Sequence, residues 1–197
     1  MRNGFRLPVI VASVIGALLG WPPRAVRAST SLALGLDDLV ARATLVVAAT
    51  PVRSTAVWED SSGGRGRRIV TYTQMRVEQV IDGSAPAELW IRTLGGSIGD
   101  IGQRVDGEAV LALGRPCLFF LRRFPDGPHG VVGMAQGQFP LDGASVGPTS
   151  RLHRFPVLPR LERPPAGASL SIAPTLEGKT LEQAARLIHA ARVDHAP

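Results

Sequence analysis

The clearest pattern in the chain is an alternation between residues 68 and 78. Ile69, Thr71, Thr73, Met75 and Val77 fall on one side, and Arg68, Gln74, Arg76 and Glu78 on the other. Val70 and Tyr72 soften the polar side without breaking the rhythm. A period of two is that of a half-buried strand, so Met75 and Val77 are expected inside and Arg76 and Glu78 in solvent. Leu45-Val46-Val47-Ala48-Ala49 reads as an earlier strand running toward Val52 and Trp58, with a Ser/Gly/Arg turn from Glu59 to Arg67. Asp82-Gly83 ends the alternating strand, and Leu89-Trp90-Ile91-Arg92-Thr93 makes the next. A glycine-rich stretch, Gly95 to Gly102, leads toward Val105 to Leu113. Cys117-Leu118-Phe119-Phe120-Leu121 is a continuous apolar run of the buried-strand kind. Val131 to Phe139 follows, with internal glycines that suggest bulges. About five short strands at regular spacing argue for a small barrel or sandwich.

Two segments carry helical signals. Asp37 to Ala43 has acids where the positive end of a short helix would lie. Near the C-terminus Thr180 and Gln183 make a capping-box pair, and Leu181, Ala184, Ala185, Ile188 and Ala191 keep one apolar face. Between them, residues 143–179 hold six prolines from Pro148 to Pro174 and read as an irregular segment over the domain. The predicted organisation is a signal peptide at 1–28, a β domain at 29–142, the proline-rich segment at 143–179 and a closing helix at 180–193.

The first 28 residues change the picture of charge. Arg2 and Arg6 precede an apolar run from Leu7 to Leu19, Trp21-Pro22-Pro23 stops any helix, and Ala25-Val26-Arg27-Ala28 offers small residues for a signal peptidase. The run is shorter than the roughly 20 residues needed to span a bilayer. Cleavage after Ala28 would expose Ser29 in a secreted or periplasmic protein. The chain has 22 basic and 16 acidic residues; four arginines and no acid lie in the leader, so the remainder carries 18 against 16, or +2. Most of the basic excess leaves with the leader, which argues against nucleic-acid binding.

Candidate chemistry is sparse. Cys117 is the only cysteine, so an internal disulfide is excluded and its apolar run marks it as a small core residue. His129, His153, His189 and His195 have no metal-site spacing, and no nucleophile elbow occurs, so neither a metal nor a cofactor is expected. Asp60, Asp100 and Asp106 are loop carboxylates with no preferred pair. The Gly95–Gly102 stretch lacks the Gly-Lys-Ser/Thr of a phosphate loop and reads as a wide turn whose glycines supply positive φ values. Two features suit recognition instead. Arg65, Arg67 and Arg68 fall beside Trp58 and Tyr72, the composition of an interface centre, and Trp90 lies on the outward side of its strand. The expected contact surface joins Trp58, Arg65, Arg67 and Arg68 to Gly95 and Gly96, with Trp90 as a further candidate.

The layout Leu39-Val40-x-x-Ala43, Leu45-Val46-Val47, Val77-x-x-Val80-Ile81-x-Gly83, and Gly107 before Phe119-Phe120-Leu121 resembles the netrin-like, tissue-inhibitor-of-metalloproteinase-like domains, including exported bacterial proteins of undefined role. The resemblance spans residues 36–141. It implies a five-stranded Greek-key barrel with a flanking helix, and with the strand and helix signals above the expected fold is mainly β, a small five-stranded OB-like Greek-key barrel with a short N-terminal helix and a C-terminal helix. It also implies a protein-binding, non-enzymatic role, with a protease among the conceivable partners. Those inhibitors are disulfide-rich and chelate metal through an N-terminal Cys, whereas this chain has one Cys and would begin at Ser29, so no inhibitory residue carries over. The competing expectations are a small exported hydrolase using loop carboxylates and a structural envelope component.

Overall fold

In the computed structural model, residues 31–61, 64, 66–153, 161–162 and 176–194 are described. The leader, Ser29, Arg65, His195 and most of the proline-rich segment lie outside them.

Strands dominate because β-branched and aromatic residues alternate with polar ones over long stretches. In chain order the elements are β1 (Ser31–Leu32), α1 (Leu36–Arg42), β2 (Leu45–Asp60), β3 (Arg67–Asp82), β4 (Glu88–Leu94), β5 (Gly96–Ile98), β6 (Ile101–Gln103), β7 (Cys117–Arg123), β8 (His129–Val131), a 3-10 turn (Met134–Gly137), β9 (Gln138–Pro140), β10 (Leu161–Glu162) and α2 (Leu181–Asp194). The main sheet runs β2-β3-β4-β8-β7-β9, and a second pairing of β2 with β7 turns it into a ring. Neighbours are antiparallel except β4 and β8, which meet in parallel at Ile91 and His129. This order, with one parallel seam, is that of a five-stranded OB-like Greek-key barrel. The ring closes unevenly: β2 and β3 pair along nearly their whole lengths, whereas β4 and β8 share a single residue pair.

The two faces of β2 and β7 explain their continuous apolar runs. Leu45, Val47 and Ala49, with Cys117, Phe119 and Leu121, point into the barrel beside Met75, Leu89 and Ile91. Val46 and Ala48, with Leu118 and Phe120, point outward and are covered by Leu39 and Val40 of α1 and by Leu181, Ala184 and Ile188 of α2. A strand buried on both faces cannot alternate. The helix seat is as expected: the Thr180 N–H donates to Gln183 Oε1 at 3.0 Å, and the Gln183 N–H donates to Thr180 Oγ1 at 3.2 Å. Arg192 of α2 ties back to Asp82 and the Ala43 carbonyl, fixing the helix on the barrel.

Several expectations need correction. β2 reaches Asp60 and β3 starts at Arg67, so the expected turn from Glu59 to Arg67 is shortened at both ends, and Arg67 and Arg68 belong to β3. The Gly95–Gly102 stretch is a tight hairpin, β5 with β6, although Gly95, Gly96 and Gly99 do have positive φ. Residues 104–116 contain no strand. The Val131–Phe139 segment breaks at the 3-10 turn, leaving β8 and β9 to pair with β7 in succession. Met75 is buried and Arg76 and Glu78 are exposed, but Val77 is only half-buried. Irregularities in the β2–β3 register bring Ala49, not a longer residue, opposite Val77 near the barrel end. Val70, on the polar side of β3, is fully buried between Val57 and Leu94 on the neighbouring strands.

Candidate functional site

The long β2–β3 ribbon outruns its neighbours. Pairing with β4 stops at Val70 and Leu94, while β2 and β3 continue to Asp60 and Arg67. The ends of these strands form an arm with two working faces.

On the inner face lie Ala56, Trp58, Ile69 and Thr71, and the β5–β6 hairpin folds against them. The Gly95 N–H donates to the Ile69 carbonyl at 2.8 Å, and the Ile69 N–H donates to Gln103 Oε1 at 2.7 Å. Gly96 sits so close that a side chain would strike the Thr71 hydroxyl and come within 3.2 Å of Ala56 Cβ. Its φ of +135° is also one that favours glycine. Nearer the tip, the Arg67 guanidinium lies over the Trp58 indole, 5.6 Å from its centroid. Below, the barrel mouth opens into a cleft of about 680 Å³ whose lining includes Ser54, Thr71, Thr73, Thr93 and Glu108. Glu108 is the one carboxylate among its described lining residues, and both its oxygens accept backbone N–H groups, from Leu94 at 3.1 Å and Ala109 at 3.0 Å.

On the outer face, Glu59, Tyr72 and Arg92 bind β2, β3 and β4 together. The Tyr72 hydroxyl donates to Glu59 at 2.6 Å, and the Arg92 guanidinium closes a two-pronged ion pair with the same carboxylate. Arg92 holds Glu59 below the usual carboxylate range, and the hydrogen bond to Glu59 pushes the Tyr72 phenol up. Arg68, opposite Glu59, adds to that field, and its Nε is buried with no hydrogen-bond partner. Further along the same face, Arg53 lies over Trp90 at 5.5 Å. Arg92 and Arg122 flank the Phe124 ring at 5.7 Å each. A groove of about 730 Å³ runs here, past Tyr72, Glu88, Trp90, Arg123 and His129. Burial, assisted by Arg123, pushes His129 below its ordinary value.

The expected surface is therefore split. Trp58, Arg67, Gly95 and Gly96 do share the inner face of the arm. Arg68 and Trp90 face the other way, because neighbouring residues of a strand point to opposite sides. Neither the closing helix nor any described part of the proline-rich segment covers Trp90, which is 37% exposed; α2 packs on the far side of the barrel. The Phe124 stack and the Glu59–Tyr72–Arg92 cluster went unread in the sequence. The cluster's members are 13 to 33 residues apart and Arg92 is 32 from Phe124, and only Glu59 at the start of the predicted turn hinted at them.

Apart from the Glu59–Tyr72–Arg92 cluster, the candidate chemical groups among the described residues stand apart. Among the described residues there is no group of three His, Cys, Asp or Glu side chains that could hold a metal ion. Asp60, Asp100 and Asp106 are exposed, and Asp106 faces only Arg104. His189 is engaged by the Ile81 carbonyl at 2.5 Å. Cys117 is buried, which pushes its thiol up to about 11. No described helix is long and apolar enough to cross a membrane. No protein-family model matches the chain, and comparison with curated proteins finds no match.

Proposed function

We propose that the chain is an exported, non-catalytic protein-binding module that engages its partner through the β2–β3 arm. One observation carries the reading: two guanidiniums, Arg67 and Arg53, lie on the two indoles of the arm and its flank, Trp58 and Trp90, and neither is in an ion pair among the described residues. Stacked Arg and Trp without a neutralising carboxylate are the side chains that dominate interface energetics. The hydrolase reading lacks comparable support, since its loop carboxylates Asp60, Asp100 and Asp106 are all exposed and Asp106 pairs with Arg104. Kinship with netrin-like domains is part of the proposal and rests on the strand order. A metal-chelating N-terminus is not part of it, because the single Cys is in the barrel core. Export rests on the leader, and N-terminal sequencing of the secreted or periplasmic protein would then start at Ser29.

The test is capture from the envelope fraction and culture fluid of the source cells, with chemical crosslinking and mass spectrometry of what is retained. Trp58→Ala with Arg67→Ser, and separately Trp90→Ala with Arg53→Ser, should each keep the fold, and at least one should lose the captured protein. Assay of the captured protein for proteolysis, with and without the module in stoichiometric amount, reads whether the partner is a protease. Retention of the same partner by both double variants would remove the basis of the proposal.

A further inference from the structure

The open side of β2 leaves backbone groups without a partner strand among the described residues. β7 pairs with β2 only over Leu45–Ala49, and the Gly114 N–H closes the next position by donating to the Pro51 carbonyl at 2.9 Å. Beyond Pro51 no strand lies along that side among the described residues. The Ser61 N–H donates to the Gly66 carbonyl at 2.8 Å, and this bond fixes the alternation of the ladder below it. Arg53, Thr55, Val57 and Glu59 then spend their backbone groups on β3, in register with Gln74, Tyr72, Val70 and Arg68. The N–H and C=O groups of Ser54, Ala56 and Trp58 turn the other way, to the open edge. Among the described residues no hydrogen bond reaches these six groups.

Natural edges are commonly blunted by charge, a bulge or a covering segment, since an open ladder templates another strand. This one is bordered by the mouth cleft, with Ser54 on its floor side and Val110 on its rim, and Val110 is 60% exposed. Its charge is lopsided. Arg67 on its inner face and Arg53 on its outer face are outside every ion pair among the described residues, while Glu59 is consumed by Arg92 and Tyr72, leaving Asp60 at the tip.

We infer that the Ser54–Trp58 edge takes an extended, acidic segment of the partner protein as an added antiparallel or parallel strand. This rests on the protein-binding reading and deepens it. Three outward N–H and three outward C=O groups fit a five-residue strand, roughly 17 Å long at about 3.4 Å per residue. Acidic side chains on the inner side of the added strand would meet Arg67 above the hydroxyl-lined cleft, and the alternate ones would lie on the outer side, where Arg53 stands. A second copy of the chain would set one basic edge against another, which disfavours it as the occupant.

The experiment titrates the full chain with a capped heptapeptide alternating Glu and Val, a Lys/Val counterpart, and the Glu/Val peptide N-methylated at alternate residues. Amide hydrogen exchange is followed by NMR. The Glu/Val peptide should slow exchange at Ser54, Ala56 and Trp58 at least tenfold, and the Lys/Val peptide should not. N-methylation should weaken binding by roughly tenfold or more, since it deletes backbone donors and leaves the charges in place. Ala56→Pro should do the same from the protein's side, because that N–H bonds nothing in the fold. Equal binding of the N-methylated peptide, or protection confined to the Trp90 groove, overturns the inference. So does protection of the three amides that rises with protein concentration alone, which would mean that a second copy covers the edge. Should the edge amides stay unprotected while capture of the partner still depends on Trp58 or Trp90, this inference fails and the protein-binding reading survives. A protected edge with capture indifferent to both indoles leaves the inference standing and moves recognition off the tryptophans.

Discussion

Replacing Met75 by Ala, with Arg76→Ala as its neighbour control, tests the register on which the whole site depends. Met75 is fully buried in the barrel interior among Leu45, Val47, Leu89, Ile91 and Phe119. Losing three heavy atoms at about 0.8 kcal/mol each removes about 2.4 kcal/mol of transfer free energy. The cavity left in a ring of strands adds to this, and buried Met→Ala changes commonly cost about 2–5 kcal/mol. A closed barrel collapses poorly around a void, so about 3–5 kcal/mol is expected here. Arg76 is exposed and pairs with Glu78 at 2.8 Å. Its loss leaves Glu78 still accepting the Thr50 hydroxyl at 2.9 Å, so no orphaned charge results. The expected cost is below about 1 kcal/mol. Urea unfolding with the slope held common between variants measures both. In a thermal melt the Met75 variant should fall by roughly 6–20 °C, at about 2–4 °C per kcal/mol for a domain of this size. Similar losses for the two variants would refute the register, since a slip of one residue exchanges the faces.

Other expectations follow from the same structure. Cys117 should react with a thiol reagent at pH 8 only after denaturant is added, given its burial and a thiol pushed up to about 11; prompt labelling of the native protein would contradict the buried strand. Glu59→Gln should destabilise at neutral pH, where the native carboxylate is ionised. Because the folded-state pKa of Glu59 is lowered from 4.5, the wild-type advantage should be full above that value and shrink as pH falls through the lower, folded-state one; a gap that did not narrow in acid would show that the Arg92 bond contributes nothing. Gly96→Ala should cost about 1–3 kcal/mol by driving a methyl into Thr71 and Ala56, and it should cost more than Gly99→Ala, which meets open space; equal melts would mean that the hairpin does not pack on the arm.

Much of the fold was legible because it is written in local rules. The alternation around Met75 gave a strand, the Thr180–Gln183 pair gave the start of α2, and Cys117–Leu121 gave a strand buried on both faces. The lone Cys117 in its apolar run announced a core residue, and it is one. What local pattern could not fix was where an arm ends and which way each side chain turns. Arg67 and Arg68 looked like one basic turn, but two extra pairs of the β2–β3 ladder drew them into a strand and sent them to opposite faces. The glycines at 95 and 96 announced unusual φ values, yet only packing against Ala56, Ile69 and Thr71 decided that the segment is a hairpin lying on the arm. Trp90 could be read as outward-facing, but the Arg53 beneath it comes from a strand two places away in the sheet. The Glu59–Tyr72–Arg92 cluster and the open edge from Ser54 to Trp58 depend on which strands pair and where pairing stops. Period and propensity act between near neighbours in the chain, whereas strand order and the ends of ladders are set by closure of the ring and by the helices that cover one side of it.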